Sequence, residues 1–438
     1  MKLLIAGLNY FPEPTGTGKY TGEMAAWLAS RGHSVEAICG LPHYPAWEVD
    51  ARYAQLHADG GMQVETLDGV RVVRVAHHVP SASGLTAKAR IWIETSFTLS
   101  AARFWLPRLF SRAKPDVIVV MMPPMQMGVW PLIYGMIRRV PWVLHVQDLQ
   151  VDAALRLNML KGGVLGRVLY WVESFLLRRA TVVSTITEAM RRRVVEKGAS
   201  PDRAWLFPNW ADIETVRPLL PQAPSVQAMR AELGVPDAGG ECEQAATVLV
   251  LYAGNMGEKQ GLDLVLQAAA RLRGDARIRF AMVGAGAARA RLVAQAAELG
   301  LTNLVFAPVQ PLERLPVMLA AGDVHLVVQQ RAAADLVMPS KLTNILAAGR
   351  ACVATADAGT ALADVVAGTR GSGEAKPTGV ICAAEDVDAL ATAIRRLADD
   401  AVLREICGRN ARAYAEAYLD RDAILARFEQ QLAELVTP

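Results

Sequence analysis

The sequence predicts an α/β protein that consists of two parallel-sheet domains. In both halves of the 438-residue chain, short apolar runs of strand length alternate with amphipathic runs of helix length. This alternation is typical of parallel sheets whose strands are joined by helices. A segment rich in proline and glycine separates the halves. We expect a first domain over residues 1–215, a linker over 216–246, a second domain over 247–415 and a C-terminal helix over 416–438 that packs back on the first domain.

The composition is that of a globular protein with a large core. Hydrophobic residues make up 52% of the chain and charged residues 20%. The five cysteines include no C-x-x-C pair, which argues against a disulfide framework or a zinc site and indicates a reducing, cytoplasmic compartment. The N-terminal apolar run resembles a buried strand more than a signal peptide. The apolar stretch Val117–Ile137 contains three prolines, so it is interpreted as a strand, a turn and a helix rather than a membrane span.

Positive charge is concentrated in the first half. Residues 1–215 hold 24 Lys+Arg against 18 Asp+Glu, whereas the rest of the chain holds 22 against 25. The segment Lys88–Lys114 combines six basic residues and one acid with several aromatic residues. That composition suits peripheral contact with an anionic membrane surface; the alternative is a helix packed on the sheet with solvated arginines. No nucleic-acid-binding module is recognisable, so we expect no nucleic-acid partner.

A glycine-rich turn follows the first strand. Leu3–Gly7 is apolar, a loop that contains Gly16 comes next, and a helix is predicted over Tyr20–Arg31 before a second strand, Ser34–Cys39. Glycines at such a turn let the backbone approach an anionic or sugar group. They also occur for packing reasons alone, and the pattern is not G-x-G-x-x-G. The candidate binding residues here are Gly16, Thr17, Gly18 and Lys19.

Another strand of the first half ends in residues that could carry chemistry. The strand Pro141–Val146 contains His145 and is followed by Asp148, and open α/β sheets bind ligands at the carboxyl ends of their strands. His145 is a candidate catalytic or sugar-positioning group, and Asp148 is a candidate carboxylate partner. A purely structural histidine is the alternative. The other strands predicted in this half are Val70–Val75, Val117–Met121, Thr181–Thr185 and Trp205–Asn209.

The second half contains an indication of an anion site in the stretch Met338–Arg350. Pro339 and Ser340 are suited to start a helix, and Lys341 falls in its first turn. The apolar strand Val324–Val328 precedes this stretch. Backbone amides and a lysine at the carboxyl end of a strand favour a nucleotide phosphate or a sugar phosphate. The alternative is an ordinary turn with a surface lysine.

Two further glycine turns follow strands of the second half. Thr247–Tyr252 leads into A-G-N-M-G-E-K-Q-G, and Ile278–Val283 leads into G-A-G. A further strand is predicted at Asn303–Ala307. Two D-x-D pairs, at 386–388 and 420–422, each precede a helical run and are interpreted as helix caps, so no metal site is expected.

Taken together, the motifs closely resemble the large retaining glycosyltransferase family 4, whose fold is GT-B. In the first half these motifs are N-Y-F-P-E-P-T-G-T-G-K-Y, L-P-H-Y-P-A-W and H-V-Q-D-L-Q-V-D-A-A; in the second half they are G-N-M-G-E-K-Q-G-L-D, M-V-G-A-G and V-M-P-S-K-L-T-N-I-L-A-A-G. The colanic acid fucosyltransferase subgroup is the part of the family that they resemble. The resemblance covers essentially the whole chain. It implies two Rossmann-like domains facing a central cleft, with the nucleotide-sugar on the second domain and the acceptor on the first.

The resemblance also implies roles for individual residues. Lys259 matches the family lysine that contacts the donor diphosphate, and His145 matches the histidine near the transferred sugar. The implied donor-binding residues are Gly254, Asn255, Lys259, Gly284, Pro339, Ser340, Lys341 and Asn344. The implied catalytic residues are His145, Lys259 and Asp148, and the implied acceptor-side loop is Gly16, Thr17, Gly18 and Lys19.

The sequence departs from the family pattern in two places. Asn255 stands near a position where the family often has arginine, so one positive charge is missing. The family's two glutamates, eight residues apart, fall on Leu336 and Asn344, so a ribose or sugar contact from glutamate is not expected here.

The function implied is retaining transfer of a sugar to a lipid-linked oligosaccharide in colanic-acid-like exopolysaccharide biosynthesis. GDP-fucose is the favoured donor and a UDP-sugar is the alternative. Lysines and helix-end amides would stabilise the leaving diphosphate, so neither a cofactor nor a metal is expected. The enzyme would act in the cytoplasm or on the inner face of the cytoplasmic membrane. Two other classes stay open from the sequence: another GT-B enzyme such as a sugar-nucleotide epimerase, and a non-catalytic sugar-binding protein.

Overall fold

The computed structural model confirms an α/β protein and divides it into two compact units. One unit comprises Met1–Pro208 together with Asp422–Pro438, and the other comprises Asn209–Arg421. Each unit contains its own sheet, whose parallel strands are joined by helices. The structure describes residues 1–13, 16–44, 47–80, 87–152, 163–235, 247–257, 260–331, 339–369 and 375–437.

In the described part of the first unit, an eight-stranded sheet forms the centre. Its strands are β1 (Lys2–Ala6), β2 (Ser34–Cys39), β3 (Met62–Leu67), β4 (Val70–Val75), β5 (Val117–Met122), β6 (Trp142–Val146), β7 (Val182–Thr185) and β8 (Ala204–Leu206). They lie in the order β3-β4-β2-β1-β5-β6-β7-β8; β3 and β4 are antiparallel, and the other neighbours are parallel. Every residue of β5 and β6 is buried, which explains their continuous apolar sequences.

Helices cover this sheet. They are α1 (Gly16–Ser30), α2 (Ala54–Asp59), α3 (Ala87–Ser100), α4 (Ala102–Leu109), α5 (Val129–Arg138), α6 (Val164–Arg179) and α7 (Glu188–Glu196). Helix α7 begins after Thr187, whose hydroxyl accepts a hydrogen bond from the amide of Met190 at 3.2 Å. This is the cap that a threonine before a helix provides.

The second unit has a parallel sheet of six strands in its described residues. They are β9 (Val248–Ala253), β10 (Ile278–Val283), β11 (Leu304–Ala307), β12 (Val324–Val327), β13 (Ala351–Thr355) and β14 (Gly379–Cys382), in the order β11-β10-β9-β12-β13-β14. The helices are α8 (Pro224–Glu232), α9 (Asp263–Leu272), α10 (Arg289–Glu298), α11 (Leu315–Ala321), α12 (Lys341–Ala347), α13 (Ala361–Ala367), α14 (Val387–Asp399) and α15 (Ala401–Tyr418).

Alternation along the strands divides the core of the second unit into two layers. On β9, Leu249 and Leu251 enter one hydrophobic cluster, whereas Val250 and Tyr252 enter the other. Because successive side chains of a strand point to opposite faces, both faces of the sheet are covered by apolar side chains. The strands are therefore held firmly, and the loops at their carboxyl ends start from fixed positions.

The last helix, α16 (Arg421–Val436), packs within the first unit. Its Phe428 ring stacks on the ring of Phe207 with a centroid distance of 3.9 Å. The indole Nε1 of Trp27 donates to the carboxylate of Asp422 at 3.0 Å. Both ends of the chain thus belong to one unit.

Two expectations from the sequence need correction, and two strands were missed. Residues 216–235 are not a linker, because α8 buries Val226 and Met229 in a core of the second unit; residues 236–246 lie outside the described residues. The strands β3 and β14 were not predicted. The predicted glycine loop at residues 16–18 is instead the first turn of α1.

The basic and aromatic segment Lys88–Lys114 forms α3, α4 and the turn that follows. Phe97, Phe104 and Trp105 are fully buried against the rest of the unit. Most of its aromatic residues therefore serve the core, as the packed-helix alternative expects, while Phe110 is 88% exposed.

Candidate functional site

The strand order of the second sheet determines where a ligand can bind. Strand β9 lies between β10 and β12, so the chain leaves β9 towards one edge of the sheet and later returns on the other side. Connections that leave neighbouring strands in opposite directions open a crevice at the carboxyl ends, which is where open α/β sheets bind ligands. The turn after β9 begins at Gly254, and the chain that follows β12 leads to α12.

Glycines bring the turns after β9 and β10 into backbone contact. A Cβ atom on Gly284 would overlap the carbonyl oxygen of Gly254, so no larger residue fits without moving one of the turns. The amide of Gly254 donates to the carbonyl of Val283 at 2.9 Å, and the amide of Met256 donates to the carbonyl of Ala285 at 2.8 Å. The predicted residues Gly254 and Gly284 are therefore parts of one closely packed pair of turns.

Lys341 places its ammonium group beside these turns. Its Nζ lies 3.6 Å from the centroid of the Tyr252 ring and 3.4 Å from the point that a Cβ on Gly254 would occupy. The residue as a whole is half-buried, but Nζ is inaccessible to solvent and has no hydrogen-bond partner among the described residues. Burial lowers the pKa of Lys341 to about 7. A buried ammonium group without an anionic partner is unfavourable by itself, and a bound anion would complete the arrangement.

Tyr252 connects this lysine to the glycine turn. The side chain is fully buried. Its ring contacts the ammonium group of Lys341, and its hydroxyl donates to the backbone carbonyl of Asn255 at 2.6 Å. The cation–π contact replaces part of the hydration that the ammonium group loses. The sequence does not single out Tyr252, because an aromatic residue inside a strand is the usual pattern of a core position.

The other predicted donor-binding residues lie on the same two segments where the structure describes them. Asn255 is exposed on the turn after β9, and Ser340 is exposed directly before α12. Pro339 precedes it, and Asn344 lies half-buried on α12 itself. Lys259, the predicted diphosphate contact, lies outside the described residues.

In the first unit, the predicted acceptor-side residues 16–19 begin α1, and a buried carboxylate lies beneath them. A Cβ on Gly18 would come within 2.8 Å of Glu13 Oε2, so close packing against Glu13 accounts for this glycine. The other carboxylate oxygen of Glu13 accepts hydrogen bonds from the amides of His43 and Tyr44, both at 3.0 Å. Glu13 therefore holds the turns after β1 and β2 together. It stands in the N-Y-F-P-E motif, where nothing in the sequence pattern indicates this role.

His145 is buried within β6. Its Nδ1 lies 2.9 Å from the hydroxyl oxygen of Ser184, and its ring packs against Phe207 at a centroid distance of 5.0 Å. Burial lowers the pKa of His145 to about 3, so the imidazole is neutral near neutral pH. The structure thus places this ring between strands of the core, and its contact with a sugar stays a prediction.

Gln147 is the polar residue that directly follows β6. Its backbone amide donates to the carbonyl of Met122 at 3.1 Å, which joins the carboxyl ends of β5 and β6. Its side-chain Nε2 is buried and has no hydrogen-bond partner in the described part of the chain. Asp148 follows it and is half-buried. A buried amide donor without a partner is a candidate for recognising a ligand oxygen. The position of Gln147 at a strand end is a signal in the sequence that could have indicated it.

The D-x-D pair at 386–388 caps a helix. The carboxylate of Asp386 accepts a hydrogen bond from the amide of Ala389 at 2.9 Å, and Asp388 forms an ion pair with Arg271. Within the described ranges, no set of three or more His, Cys, Asp or Glu side chains is arranged around a common metal position. Over those same ranges, every helix is too short or too polar to cross a membrane.

Solved structures share this fold along nearly the whole chain. Sucrose-phosphate synthase from Thermosynechococcus elongatus matches with a TM-score of 0.72 at 17% sequence identity, and the match covers 99% of both chains. Anabaena HepE in complex with UDP and glucose matches with a TM-score of 0.69 at 16% identity, again over 99% of both chains. Likeness at this identity shows the fold alone, which is that of the GT-B glycosyltransferases.

Comparison with known sequences identifies the family within this fold. Residues 15–210 match the family described as Glycosyl transferase 4-like domain, and residues 243–414 match the family described as Glycosyl transferases group 1. A relative from Escherichia coli strain K12, whose provisional name is colanic acid biosynthesis glycosyl transferase WcaI, is 37% identical over 437 residues, which cover 98% of each chain. The chain therefore belongs to family 4 of the GT-B glycosyltransferases, among its WcaI-like members. This membership decides against the epimerase and the non-catalytic sugar-binding alternatives.

Proposed function

We propose that this glycosyltransferase moves a sugar from a nucleotide-sugar, with retained anomeric configuration, to a lipid-linked oligosaccharide in exopolysaccharide biosynthesis. The resemblance to the colanic acid subgroup favours GDP-fucose as donor, and the name of the Escherichia coli relative supports the same class of product. A UDP-sugar is the alternative donor, since the HepE complex contains UDP and glucose. Peripheral attachment to the inner face of the cytoplasmic membrane is part of the proposal.

The observation that carries the proposal is the ammonium group of Lys341. It is buried, has no hydrogen-bond partner among the described residues and stands beside the turn at Gly254. A nucleoside diphosphate would supply the missing negative charge. Pro339, Ser340 and Asn344 would line the same donor pocket, and Lys259 would add a second positive charge to the diphosphate.

The chemistry that follows is displacement of a diphosphate. The bond between the sugar C1 and the phosphate oxygen breaks, and a bond forms between C1 and an acceptor hydroxyl oxygen on the same face. The leaving phosphate oxygen takes the proton of that hydroxyl. Negative charge grows on the diphosphate in the transition state, where a preorganised Lys341 stabilises it. In this proposal lysines and amides carry that charge, without a metal or another cofactor.

The first unit would bind the acceptor at the carboxyl ends of its central strands. Gly16, Thr17 and Lys19 begin α1 there. Gln147 follows β6, and its side-chain Nε2 has no hydrogen-bond partner among the described residues. Asp148 would position an acceptor hydroxyl. Trapping of a glycosyl-enzyme intermediate on Asp148 would contradict same-face displacement.

The test is a thermal-shift screen with GDP, UDP, ADP and dTDP on the wild type and on Lys341→Ala. A ligand at about 100 times its dissociation constant stabilises the folded state by about 2.7 kcal/mol, so binding is measurable as a higher Tm. We expect one nucleotide to stabilise the wild type and to lose most of its effect in Lys341→Ala.

The matched control is Lys376→Ala, which removes an exposed lysine of the same unit. This variant should keep the full nucleotide-induced rise in Tm. The wild type should also keep this rise at moderate salt concentration. A nucleotide shift that persists in Lys341→Ala would remove the assigned diphosphate contact. No shift with any of the four nucleotides would contradict the donor class itself. Lys259→Ala tests the second proposed contact in the same way.

A further inference from the structure

Three neighbouring helices of the first unit present apolar side chains to solvent. Helix α5 contacts both α4 and α6. On α5, Ile133, Met136 and Ile137 fall on one stripe of the helix surface. Met136 is 68% exposed and Ile137 is 60% exposed, so this stripe faces away from the core instead of towards it.

Helix α6 repeats the pattern. Val164, Val168 and Trp171 follow each other at helical spacing and are all exposed; Trp171 is 60% exposed. The ring of Trp171 stacks on that of Phe175 with a centroid distance of 5.6 Å. Together with Phe110, which follows α4, these residues form a surface that we call the apolar face; it consists of Phe110, Met136, Ile137, Val164, Val168 and Trp171.

Basic residues accompany this face almost without acids. Residues 102–114, 129–140 and 163–180 contain nine Lys+Arg and a single acid, Glu173. That acid is buried in an ion pair with Lys197, so it adds no negative charge to the surface. The exposed basic side chains are Arg103, Arg112, Lys114, Arg139, Arg167, Arg178 and Arg179.

Charge decides which occupant suits the apolar face. Exposed apolar patches of this kind usually mark an interaction surface. A second copy of the chain pairing through the same face would bring like charges from these basic segments close to each other, which is unfavourable. Anionic lipid satisfies both features, because aromatic and aliphatic side chains enter the boundary between headgroups and acyl chains while arginines contact lipid phosphates.

We infer that the apolar face, which consists of residues on α5 and α6 together with Phe110 after α4, docks on an anionic lipid bilayer. This extends the membrane contact well beyond the segment Lys88–Lys114, to two helices that the sequence did not indicate. The inference rests on the proposed function insofar as a lipid-linked acceptor would reach the enzyme at such a surface. Its test, however, requires neither nucleotide nor turnover.

The test is co-sedimentation of the full chain with vesicles. Vesicles of mixed phosphatidylglycerol and phosphatidylcholine are compared with vesicles of phosphatidylcholine alone, without nucleotide. The apolar variant is Met136→Ala with Trp171→Ala, and the charge variant is Arg112→Glu with Arg167→Glu. We expect the wild type to bind the anionic vesicles at least tenfold more strongly than the neutral ones, and each double variant to lose at least tenfold in partition.

Matched controls lie on the second unit. Leu312→Ala with Val402→Ala removes two exposed apolar side chains, and Arg395→Glu with Arg396→Glu reverses two exposed charges. Both controls should bind anionic vesicles like the wild type. Melting curves and the nucleotide shift of all four variants should also match the wild type, since the altered side chains are exposed.

The outcomes separate the surface from the donor site. Vesicle binding that is equal in the wild type and the two test variants, or that the controls weaken to the same degree, would overturn the docking surface. So would a dimer, seen by light scattering, that Met136→Ala with Trp171→Ala dissociates, because the apolar face would then be an interface between copies. Vesicle binding together with no nucleotide shift would support the surface and contradict the proposed donor class.

Discussion

At the scale of single residues, Lys341 combines a cost in stability with a gain in binding. Its ammonium group is buried without a hydrogen-bond partner among the described residues, and its pKa is lowered to about 7. The unfolded chain holds the charged form more favourably, so the lysine destabilises the ligand-free protein below its unfolded pKa. Lys341→Met should therefore raise the free energy of unfolding at neutral pH by about 2 kcal/mol while abolishing the nucleotide shift. Chemical denaturation with and without nucleotide measures both; a less stable ligand-free variant would contradict this account.

The same pKa predicts a pH dependence of binding. In the free protein Lys341 loses its proton as the pH rises through about 7, whereas a bound diphosphate would hold the ammonium form up to a much higher pH. Between these two pKa values binding takes up a proton, so affinity should fall as the pH rises from about 7 to 9. Calorimetry in two buffers of different ionisation enthalpy measures the uptake, and Lys341→Met is the control that should show none. An affinity that is constant over this range would argue against a neutral lysine in the free protein.

Gln147 gives a third residue-level prediction. Its buried Nε2 has no hydrogen-bond partner in the described part of the chain. We expect it to donate to a hydroxyl oxygen of the acceptor sugar or of the nucleotide-sugar. Gln147→Ala should lower kcat/KM by about 10- to 100-fold, the effect of losing one buried hydrogen bond to substrate, with little change in Tm. Gln55→Ala alters an exposed glutamine of the same unit and should leave the rate unchanged. Steady-state kinetics measure this, with a nucleotide-sugar of the nucleotide found in the screen. An unaltered kcat/KM in Gln147→Ala would assign this side-chain amide a structural role.

The residue pattern singled out Lys341 as an anion contact, because a lysine in the first turn of a helix after a strand is suited to bind a phosphate. Gly254 and Gly284 were singled out by the resemblance to family 4. It could not show that the ring of His145 packs between strands beside Ser184. A histidine one position before a strand end looks the same whether its side chain faces the core or a ligand. Burial of individual polar atoms depends on neighbours that are distant in the chain.

At the scale of elements, the two glycine turns after β9 and β10 act as one unit. A methyl group on Gly284 would meet the carbonyl oxygen of Gly254, so Gly284→Ala must separate the turns. We expect this variant to lower the free energy of unfolding by about 1–3 kcal/mol and to weaken nucleotide binding as well. Gly274→Ala is the matched control, since a Cβ there meets no atom of the described residues within 4 Å, and it should be neutral. Thermal melts with and without nucleotide compare the Tm values of the two variants. Equal Tm values and equal nucleotide shifts would contradict the close packing of the turns.

The elements that the sequence failed to predict lack the simple apolar patterns that marked the others. The strand β3 is mostly exposed and lies at the edge of its sheet, so it lacks the apolar run that marked the central strands. Residues 216–235 carry several prolines, yet α8 begins at Pro224, a position that proline tolerates. Its Val226 and Met229 are buried at a helical spacing that the proline-rich composition obscured.

At the scale of the whole molecule, the alternation of strands and helices was enough to predict two parallel-sheet units. In each sheet the strands that follow next in the chain lie on one side of the first strand, β1 or β9, and later strands lie on its other side. The candidate residues follow β1 and β6 in the first unit and β9, β10 and β12 in the second. The order of strands could not be obtained from the sequence, because pairing between distant strands leaves no local signal. The resemblance to family 4 predicted the GT-B fold, which the alternation of strands and helices alone did not specify.

The first unit also depends on the end of the chain, and this can be tested separately from the donor site. Phe428 is fully buried and stacks on Phe207, so Phe428→Ala should destabilise the first unit by about 3–5 kcal/mol. Hydrogen exchange should then rise in β7 and β8, while the protection that a nucleotide gives to the turns after β9 and β10 persists. Arg427→Ala changes the exposed neighbour on the same helix. It should alter neither the hydrogen exchange of β7 and β8 nor the protection by nucleotide. Loss of the nucleotide protection in Phe428→Ala would mean that the donor site needs the C-terminal helix. Unchanged hydrogen exchange in β8 would mean that α16 contributes little to the stability of the first unit.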